Sequence, residues 1–150
     1  MTQLLRTDST HADFVELVRH LDADLRIRDG EDHAFYNQFN KIDQIRHVVV
    51  AYLDGQAVGC GAIKEYAPGR AEVKRMYVAP AYRGRGIASQ VLAELERWAR
   101  ELSYATCLLE TGVNQPEAVG LYGKNGYQVI PNYGQYAGVT TSICFEKDLV

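Results

Sequence analysis

One loop of the chain combines glycine and arginine in a way that suits an anion, and it reads Arg83-Gly84-Arg85-Gly86. The preceding run, Ala71 to Val78, is rich in β-branched and aromatic residues and stops before Pro80, which predicts a strand. After the loop, apolar residues recur at helical spacing, at Ile87, Ala88, Val91, Leu92, Leu95, Trp98, Ala99 and Leu102. A helix start exposes unpaired N–H groups, and glycines let a ligand approach the backbone closely. The pattern therefore predicts a phosphate-binding loop.

Two common phosphate-binding motifs do not fit this loop. A P-loop needs Gly-Lys-Ser/Thr at the helix start, and this chain has Gly86-Ile87-Ala88. The dinucleotide fingerprint needs three glycines, and only Gly84 and Gly86 are present. Nucleoside triphosphates and dinucleotides are therefore disfavoured as ligands.

The spacing Arg83-x-x-Gly86-x-Ala88 after Met76-Tyr77-Val78 resembles the GCN5-related N-acetyltransferase superfamily. A second block, Asn-x-x-x-Ala-x-x-Leu-Tyr-x-x-x-Gly-Tyr from Asn114 to Tyr127, is similar to the superfamily's later motif. The resemblance covers most of the chain from His47 onward and is weakest over the first forty residues. It implies that acetyl-coenzyme A is the co-substrate and that no metal takes part.

By this resemblance, particular residues would hold the co-substrate. Its pyrophosphate would bind the backbone of Arg83, Gly84, Arg85, Gly86, Ile87 and Ala88. The pantetheine arm would lie along Met76, Tyr77 and Val78, with a backbone group of Met76 or Val78 polarising the acetyl carbonyl, and Asn114 would contact the same arm.

The resemblance also implies catalytic roles. Tyr122 matches the tyrosine beside the sulfur and is expected to be the general acid, although a tyrosine that only packs on the sheet fits the pattern too. Glu72, eleven residues before Arg83, is the expected base. It is equally interpreted as an ion-pair partner of Arg70, Lys74 or Arg75. Glu110 is a competing base, and many superfamily members use none.

The acceptor is expected to be a primary amine that attacks directly in a ternary complex. Aromatic residues in the regions that usually shape the acceptor pocket, Phe35, Tyr36, Tyr133 and Tyr136, suit a small amine or amino acid. A protein or peptide N-acetyltransferase is the alternative enzyme. A module that binds acetyl-CoA without turnover, as a sensor, is the alternative outside catalysis.

Pattern and turn signals predict an α/β fold over a single domain, residues 1–150, and the resemblance implies that this fold is of the acetyltransferase type. Ser9 and Thr10, with a capping box to Asp13, are expected to start a first helix, and residues 31–40 look like a short second helix. Asp54-Gly55 predicts a hairpin. The element order predicts a mixed antiparallel and parallel sheet of about six to seven strands with about four helices. In it, the Glu72 and Ala105 strands are parallel neighbours.

Composition bounds the class of protein. The chain has 150 residues, 47% of them hydrophobic, and a net charge of −3, which argues against nucleic acid as a partner. A local basic island suits one small polyanion and comprises Arg70, Lys74, Arg75, Arg83 and Arg85. The three cysteines look like reduced core thiols, and no membrane span or signal peptide is expected, so a cytoplasmic location is predicted. A homodimer is possible, with strand 140–149 as a candidate edge.

Overall fold

The computed structural model describes residues 1–29 and 44–150, which form a seven-stranded mixed sheet with helices on both faces. The strands are β1 (Thr2–Thr7), β2 (His47–Leu53), β3 (Gln56–Ala67), β4 (Arg70–Val78), β5 (Thr106–Gly112), β6 (Gln128–Ile130) and β7 (Ser142–Asp148). The described helices are α1 (Ala12–Asp29), α2 (Ile87–Glu101) and α3 (Pro116–Lys124), and short 3₁₀ turns span Pro80–Tyr82 and Gly134–Tyr136. The strand order is β1-β2-β3-β4-β5-β7-β6. The predicted fold class is confirmed, and the helix predicted at residues 31–40 lies outside the described residues.

The first half of the sheet is an antiparallel meander of β1 to β4. Its central hairpin turns at Asp54 and Gly55, which have φ angles of 51° and 81°. Two consecutive residues with positive φ make the type I′ turn that matches strand twist. The hairpin predicted at this dipeptide is confirmed.

The second half of the sheet begins beside β4. Strand β5 runs parallel to β4, as predicted, but pairs with it only from Arg70↔Thr106 to Glu72↔Leu108. Beyond Glu72 the two strands separate, which leaves a cleft at the middle of the sheet. Strand β7 pairs with β5 along its whole length and also with β6. The prediction that strand 140–149 forms an edge is therefore wrong, because β6 lies outside it.

A bulge in β4 faces this cleft. Cys60 pairs with Tyr77 while Ala62 pairs with Lys74, so β4 carries an extra residue opposite β3. Arg75 lies in the bulge with a φ of 61°, a conformation that is costly for a residue with a Cβ. The bulge turns the end of β4 at the point where its pairing with β5 has already stopped.

Each face of the sheet is covered by a helix. Residues of α2, including Val91, Leu92 and Leu95, pack on one face in the larger core. The α1 residues Phe14, Leu17, Val18 and Leu21 pack on the other face, as their spacing predicts. All three cysteines are free and buried, which agrees with the prediction of core thiols.

The start of α1 differs from the prediction. Thr10 donates its hydroxyl proton to Asp8, and the backbone N–H of Asp13 bonds to Nδ1 of His11 at 3.3 Å. The hydroxyl of Ser9 accepts the N–H of Ile45 instead of capping the helix. The predicted capping box is therefore wrong, because the Thr10 hydroxyl bonds to Asp8 instead of to the helix start. No helix among the described residues combines the length and apolarity needed to span a membrane.

Candidate functional site

A groove of about 400 Å³ runs from the end of β4 to α3 across the start of α2. Its described lining residues are Leu21, Asp24, Met76, Tyr77, Val78, Tyr82, Arg83, Gly84, Gly86, Ile87, Ala88, Ser89, Gln115, Glu117, Ala118, Gly120, Leu121, Tyr122 and Lys124. Most of the residues predicted to bind the co-substrate are thus brought together around this groove.

The Arg83 to Gly86 loop leaves the start of α2 open to this groove. Gly84 and Gly86 have φ angles of 81° and 79°, and nothing lies within 4 Å of where a Cβ would stand on either residue. Gly86 is the N-cap residue and makes no side-chain capping bond. No side chain of Gly86 caps α2, and the positive end of the helix dipole lies at the groove that Gly86, Ile87 and Ala88 line. A pyrophosphate fits this cradle by its charge and by the room available.

The two arginines of the loop are held in place by neighbouring groups. Arg83 donates from Nε to the carbonyl oxygen of Val78 at 2.8 Å, and its Nη2 lies 4.0 Å from Asp24 Oδ2. The guanidinium of Arg85 lies 5.5 Å above the ring of Tyr82. These contacts keep both cations beside the groove.

The predicted basic island is not one surface. Arg70 pairs with Glu146 at 3.3 Å, and Arg75 is buried and pairs with Asp22 at 2.9 Å. Lys74 approaches Glu72 at 3.8 Å. Because these cations have partners elsewhere in the fold, the prediction of a single five-residue anion site is wrong.

A second cavity, of about 110 Å³, lies where β4 and β5 separate. Its described lining residues are Leu21, Leu25, Glu72, Val73, Lys74, Arg75, Met76, Glu110, Thr111, Gly112, Gln115, Ala118, Tyr122 and Tyr136. The two cavities share Leu21, Met76, Gln115, Ala118 and Tyr122. They therefore meet at the bulged strand and at the tyrosine of α3.

Tyr122 is placed at this junction by α3, which begins with Pro116 in its first turn as predicted. Its side chain is buried, and the ring contacts those of Tyr127 and Phe145. Burial, and then the charge of Glu110, raise the pKa of Tyr122 well above its usual range. The phenol therefore keeps its proton at neutral pH, as a proton donor must.

Glu72 is buried on β4 and has two partners. The hydroxyl of Tyr133 donates to its Oε2 at 2.6 Å, and Lys74 Nζ lies 3.8 Å from its Oε1. Of the three ion-pair partners considered from sequence, Lys74 is the one that approaches it. Tyr133 also meets Tyr136 edge-on, with ring centroids 5.8 Å apart. Tyr136 lines the cavity with Glu72 and Glu110, and burial and these two charges raise its pKa.

Some predicted site residues lie elsewhere. Asn114 is exposed in the turn after β5, and its neighbour Gln115 lines both cavities instead. Phe35 and Tyr36 fall outside the described residues. Leu21 of α1, which also lines both cavities, was not predicted because its spacing indicates only a core position. Within residues 1–29 and 44–150, no His, Cys, Asp or Glu cluster suited to a metal was found.

Comparison with known proteins decides the family. The model of the acetyltransferase (GNAT) family matches residues 14–127. The chain belongs to this family. As a member it is an N-acetyltransferase, and the predicted resemblance is confirmed.

Three similar proteins illustrate the relationship. The IAA acetyltransferase of Azospirillum brasilense is 40% identical over 102 residues, which are 67% of either chain. A putative acyl-CoA N-acyltransferase from Klebsiella pneumoniae superposes with a TM-score of 0.84 at 32% identity, covering 100% of this chain and 99% of that one. PaiA N-acetyltransferase from Thermoplasma acidophilum, solved with coenzyme A, has a TM-score of 0.71 at 18% identity over 99% of both chains. The chain spans about half the length of some other curated relatives.

Proposed function

We propose that this protein transfers the acetyl group of acetyl-CoA to a primary amine of a small molecule or amino acid, by direct attack in a ternary complex. The observation that carries the proposal is the meeting of the two cavities at Met76 and Tyr122. The groove would hold the thioester and the smaller cavity the amine, so the reacting atoms would approach each other at this junction.

The size of the second cavity favours a small acceptor. A cavity of about 110 Å³ is well below the range of about 300 to 1,000 Å³ that is typical of drug-sized ligands. The relative from Azospirillum brasilense is named after a small-molecule substrate. Tyr136 lines the cavity, and Tyr133 donates a hydrogen bond to Glu72, which lines the cavity too. These two residues, with Phe35 and Tyr36, stay our predicted acceptor-binding residues.

The residues at the junction suit the chemistry of acetyl transfer. Acetyl-CoA supplies an acyl group activated as a thioester. A carboxylate of the acceptor cavity, Glu72 by resemblance or Glu110, takes a proton from the ammonium group. A backbone N–H of Met76 or Val78, at the end of β4, donates to the carbonyl oxygen as it becomes negative. Tyr122 donates its phenolic proton to the departing sulfur and recovers one from the new amide nitrogen.

Calorimetric titration with acetyl-CoA, followed by an assay of thiol release over amines, amino acids and peptides, tests the proposal. Tight binding and thiol release with one class of small amine is the expected result. Release only with peptides would favour a protein N-acetyltransferase. Failure of acetyl-CoA to bind would overturn the proposal.

Tyr122→Phe separates an enzyme from a sensor. An enzyme loses turnover by about 10²-fold or more while its affinity for acetyl-CoA is kept. Tyr104→Phe is the matched control, because it removes a hydroxyl that bonds to Glu65 on the surface. Binding without thiol release in the unmodified protein would support the sensor.

Compartment and assembly are also proposals. The buried, unpaired thiols at Cys60, Cys107 and Cys144 favour a reducing cytoplasm. A homodimer would use an outer strand of the described sheet, and β6 exposes Val129 at such an edge. Sedimentation analysis distinguishes the monomer from the dimer.

A further inference from the structure

The acceptor cavity holds two carboxylates on neighbouring strands, and their positions along the cleft differ. Glu72 pairs in register with Leu108, at the last position where β4 and β5 are joined. Glu110 lies two residues further along β5 in the direction of the cleft. At the rise of a strand this places its backbone about 6.6 Å beyond the level of Glu72, toward the bulge and Met76.

The neighbours of the two carboxylates differ as well. Glu72 accepts the hydroxyl of Tyr133 on one oxygen and faces the ammonium of Lys74 with the other. Glu110 is half-buried, lines the same cavity as Tyr122, and its charge acts on that phenol. Glu72 is therefore held by Tyr133 and Lys74, and Glu110 is the carboxylate whose charge acts on the expected general acid.

We infer that Glu110 accepts the proton of the acceptor's ammonium group, and that Glu72, held by Tyr133 and Lys74, positions that group without deprotonating it. This inference rests on the proposed function and revises the role of base that the resemblance gives to Glu72. Both carboxylates line only the smaller cavity, and the assignment follows from the register, which places Glu110 further along the cleft toward the residues that the two cavities share.

The step balances with the residues at hand. One ammonium proton passes to the Glu110 carboxylate, and the freed lone pair forms the C–N bond at the thioester carbon. Collapse of the adduct breaks the C–S bond, and the sulfur takes the phenolic proton of Tyr122. Tyr122 then regains a proton from the new amide nitrogen, and Glu110 releases its proton to solvent.

Other charged and titratable groups surround Glu110. Those that line its cavity are Glu72, Lys74, Arg75, Tyr122 and Tyr136, and Cys144 is the residue that pairs with it on β7. Tyr122 and Tyr136 have raised pKa values, mainly through burial, and both stay protonated at neutral pH. The rate at neutral pH therefore depends on a carboxylate and on the amine itself.

Glu110→Gln and Glu72→Gln separate the two roles in kcat/KM profiles from pH 6 to 10. The acceptor is the small amine that gives the fastest thiol release. Glu110→Gln should lose about 10²-fold or more at pH 7, and the deficit should shrink as the pH approaches the amine's own pKa, where solvent supplies the neutral amine. Glu72→Gln should raise the acceptor KM by a factor that does not change with pH.

Three comparisons guard the result. Glu110→Asp should restore part of the rate at pH 7. The acetyl-CoA affinity of the Glu110 and Glu72 variants, measured by calorimetry, should match that of the unmodified protein. Glu16→Gln, on the exposed face of α1, should behave as the unmodified protein does. A pH-dependent deficit in Glu72→Gln, with none in Glu110→Gln, would overturn the inference while leaving the acetyltransferase intact.

A second readout does not depend on turnover. In ¹³C spectra of the complex with free CoA and the same amine, the carboxyl signal of Glu110 should shift more than that of Glu72. The reverse order would also overturn the assignment. If the unmodified protein acetylates no amine of the panel, the proposed function falls and this inference falls with it.

Discussion

The hydroxyl of Tyr133 donates a 2.6 Å hydrogen bond to Oε2 of Glu72, joining residues that lie 61 positions apart in the chain. The bond ties the segment between β6 and β7 to the central strand. The ring of Tyr133 is fixed in turn by edge contacts with Tyr66 and Tyr136. The bond therefore links this segment to Glu72, a buried carboxylate that lines the smaller cavity.

Tyr133→Phe keeps the ring and removes only this donor. A hydrogen bond to a carboxylate contributes about 1.5 to 3 kcal/mol, so the free energy of unfolding should fall by about that amount. The acceptor KM should rise severalfold with no change in acetyl-CoA affinity, because the groove lies on the other side of Tyr122. Urea unfolding and steady-state kinetics measure the two effects.

Tyr66→Phe is the matched control for this change. Its ring packs 5.0 Å from that of Tyr133, but its hydroxyl makes no contact with Glu72 in the described hydrogen bonds. Its acceptor KM should stay within twofold of the original value. Equal effects of the two variants would show that packing of the aromatic cluster, and not the Glu72 bond, sets the acceptor site.

Local signals predicted much of this molecule from sequence. Asp54-Gly55 makes its turn through its own backbone preferences, and Gly86 opens α2 for the same reason. The bulge at Arg75 is a feature that such local signals do not predict. It exists because Ala62 pairs with Lys74 while Cys60 pairs with Tyr77, a register that no short pattern specifies. The Tyr133 bond to Glu72 is likewise a product of the fold.

The ion pair under the bulge should respond unequally to loss of its two members. The side chain of Arg75 is 2% exposed and that of Asp22 is 37% exposed. Asp22→Ala leaves a buried guanidinium whose Nε and Nη2 have no hydrogen-bond partner among the described residues, so the free energy of unfolding should fall by about 3 to 5 kcal/mol. Arg75→Met removes the buried charge and should cost about 1 kcal/mol.

Urea denaturation of both variants tests this order. Arg19→Met, which removes an exposed cation paired with Glu16, serves as the control and should leave stability unchanged. If Arg75→Met proves the more destabilising of the pair, the charge of Arg75 stabilises the bulge directly. Burial of an uncompensated cation would then not be the main contribution to the change in the free energy of unfolding.

The buried thiols make stability fall in alkaline solution. Burial raises the pKa of Cys60 to about 12 and that of Cys107 to about 11, from an ordinary value of 9.0. Below pH 9 both thiols are protonated in the folded and unfolded states, and their stabilisation is fully present. As the pH rises further, the unfolded chain loses these protons first, so the free energy of unfolding decreases toward pH 11 to 12.

Urea unfolding between about pH 7 and 10 measures this slope before the buried tyrosines add to it. The double variant Cys60→Ala with Cys107→Ala should show a shallower decline than the unmodified protein. In the folded protein at pH 8, a thiol reagent should react no faster than the chain unfolds. Fast reaction of all three thiols without unfolding would contradict their burial.

Gly86→Glu should weaken binding in the groove without preventing folding. The site has space for the side chain, since nothing lies within 4 Å of the position of a Cβ, but the φ of 79° strains any residue other than glycine. The carboxylate would occupy the helix start where the pyrophosphate is proposed to bind, so acetyl-CoA affinity measured by calorimetry should fall by about tenfold or more.

Gly55→Glu is a matched control, because Gly55 has a φ of 81° and equal space around it but lies in the β2–β3 hairpin. It should show a similar loss of stability and no change in affinity. Equal loss of affinity in both variants would mean that backbone strain, and not charge at the loop, weakens binding.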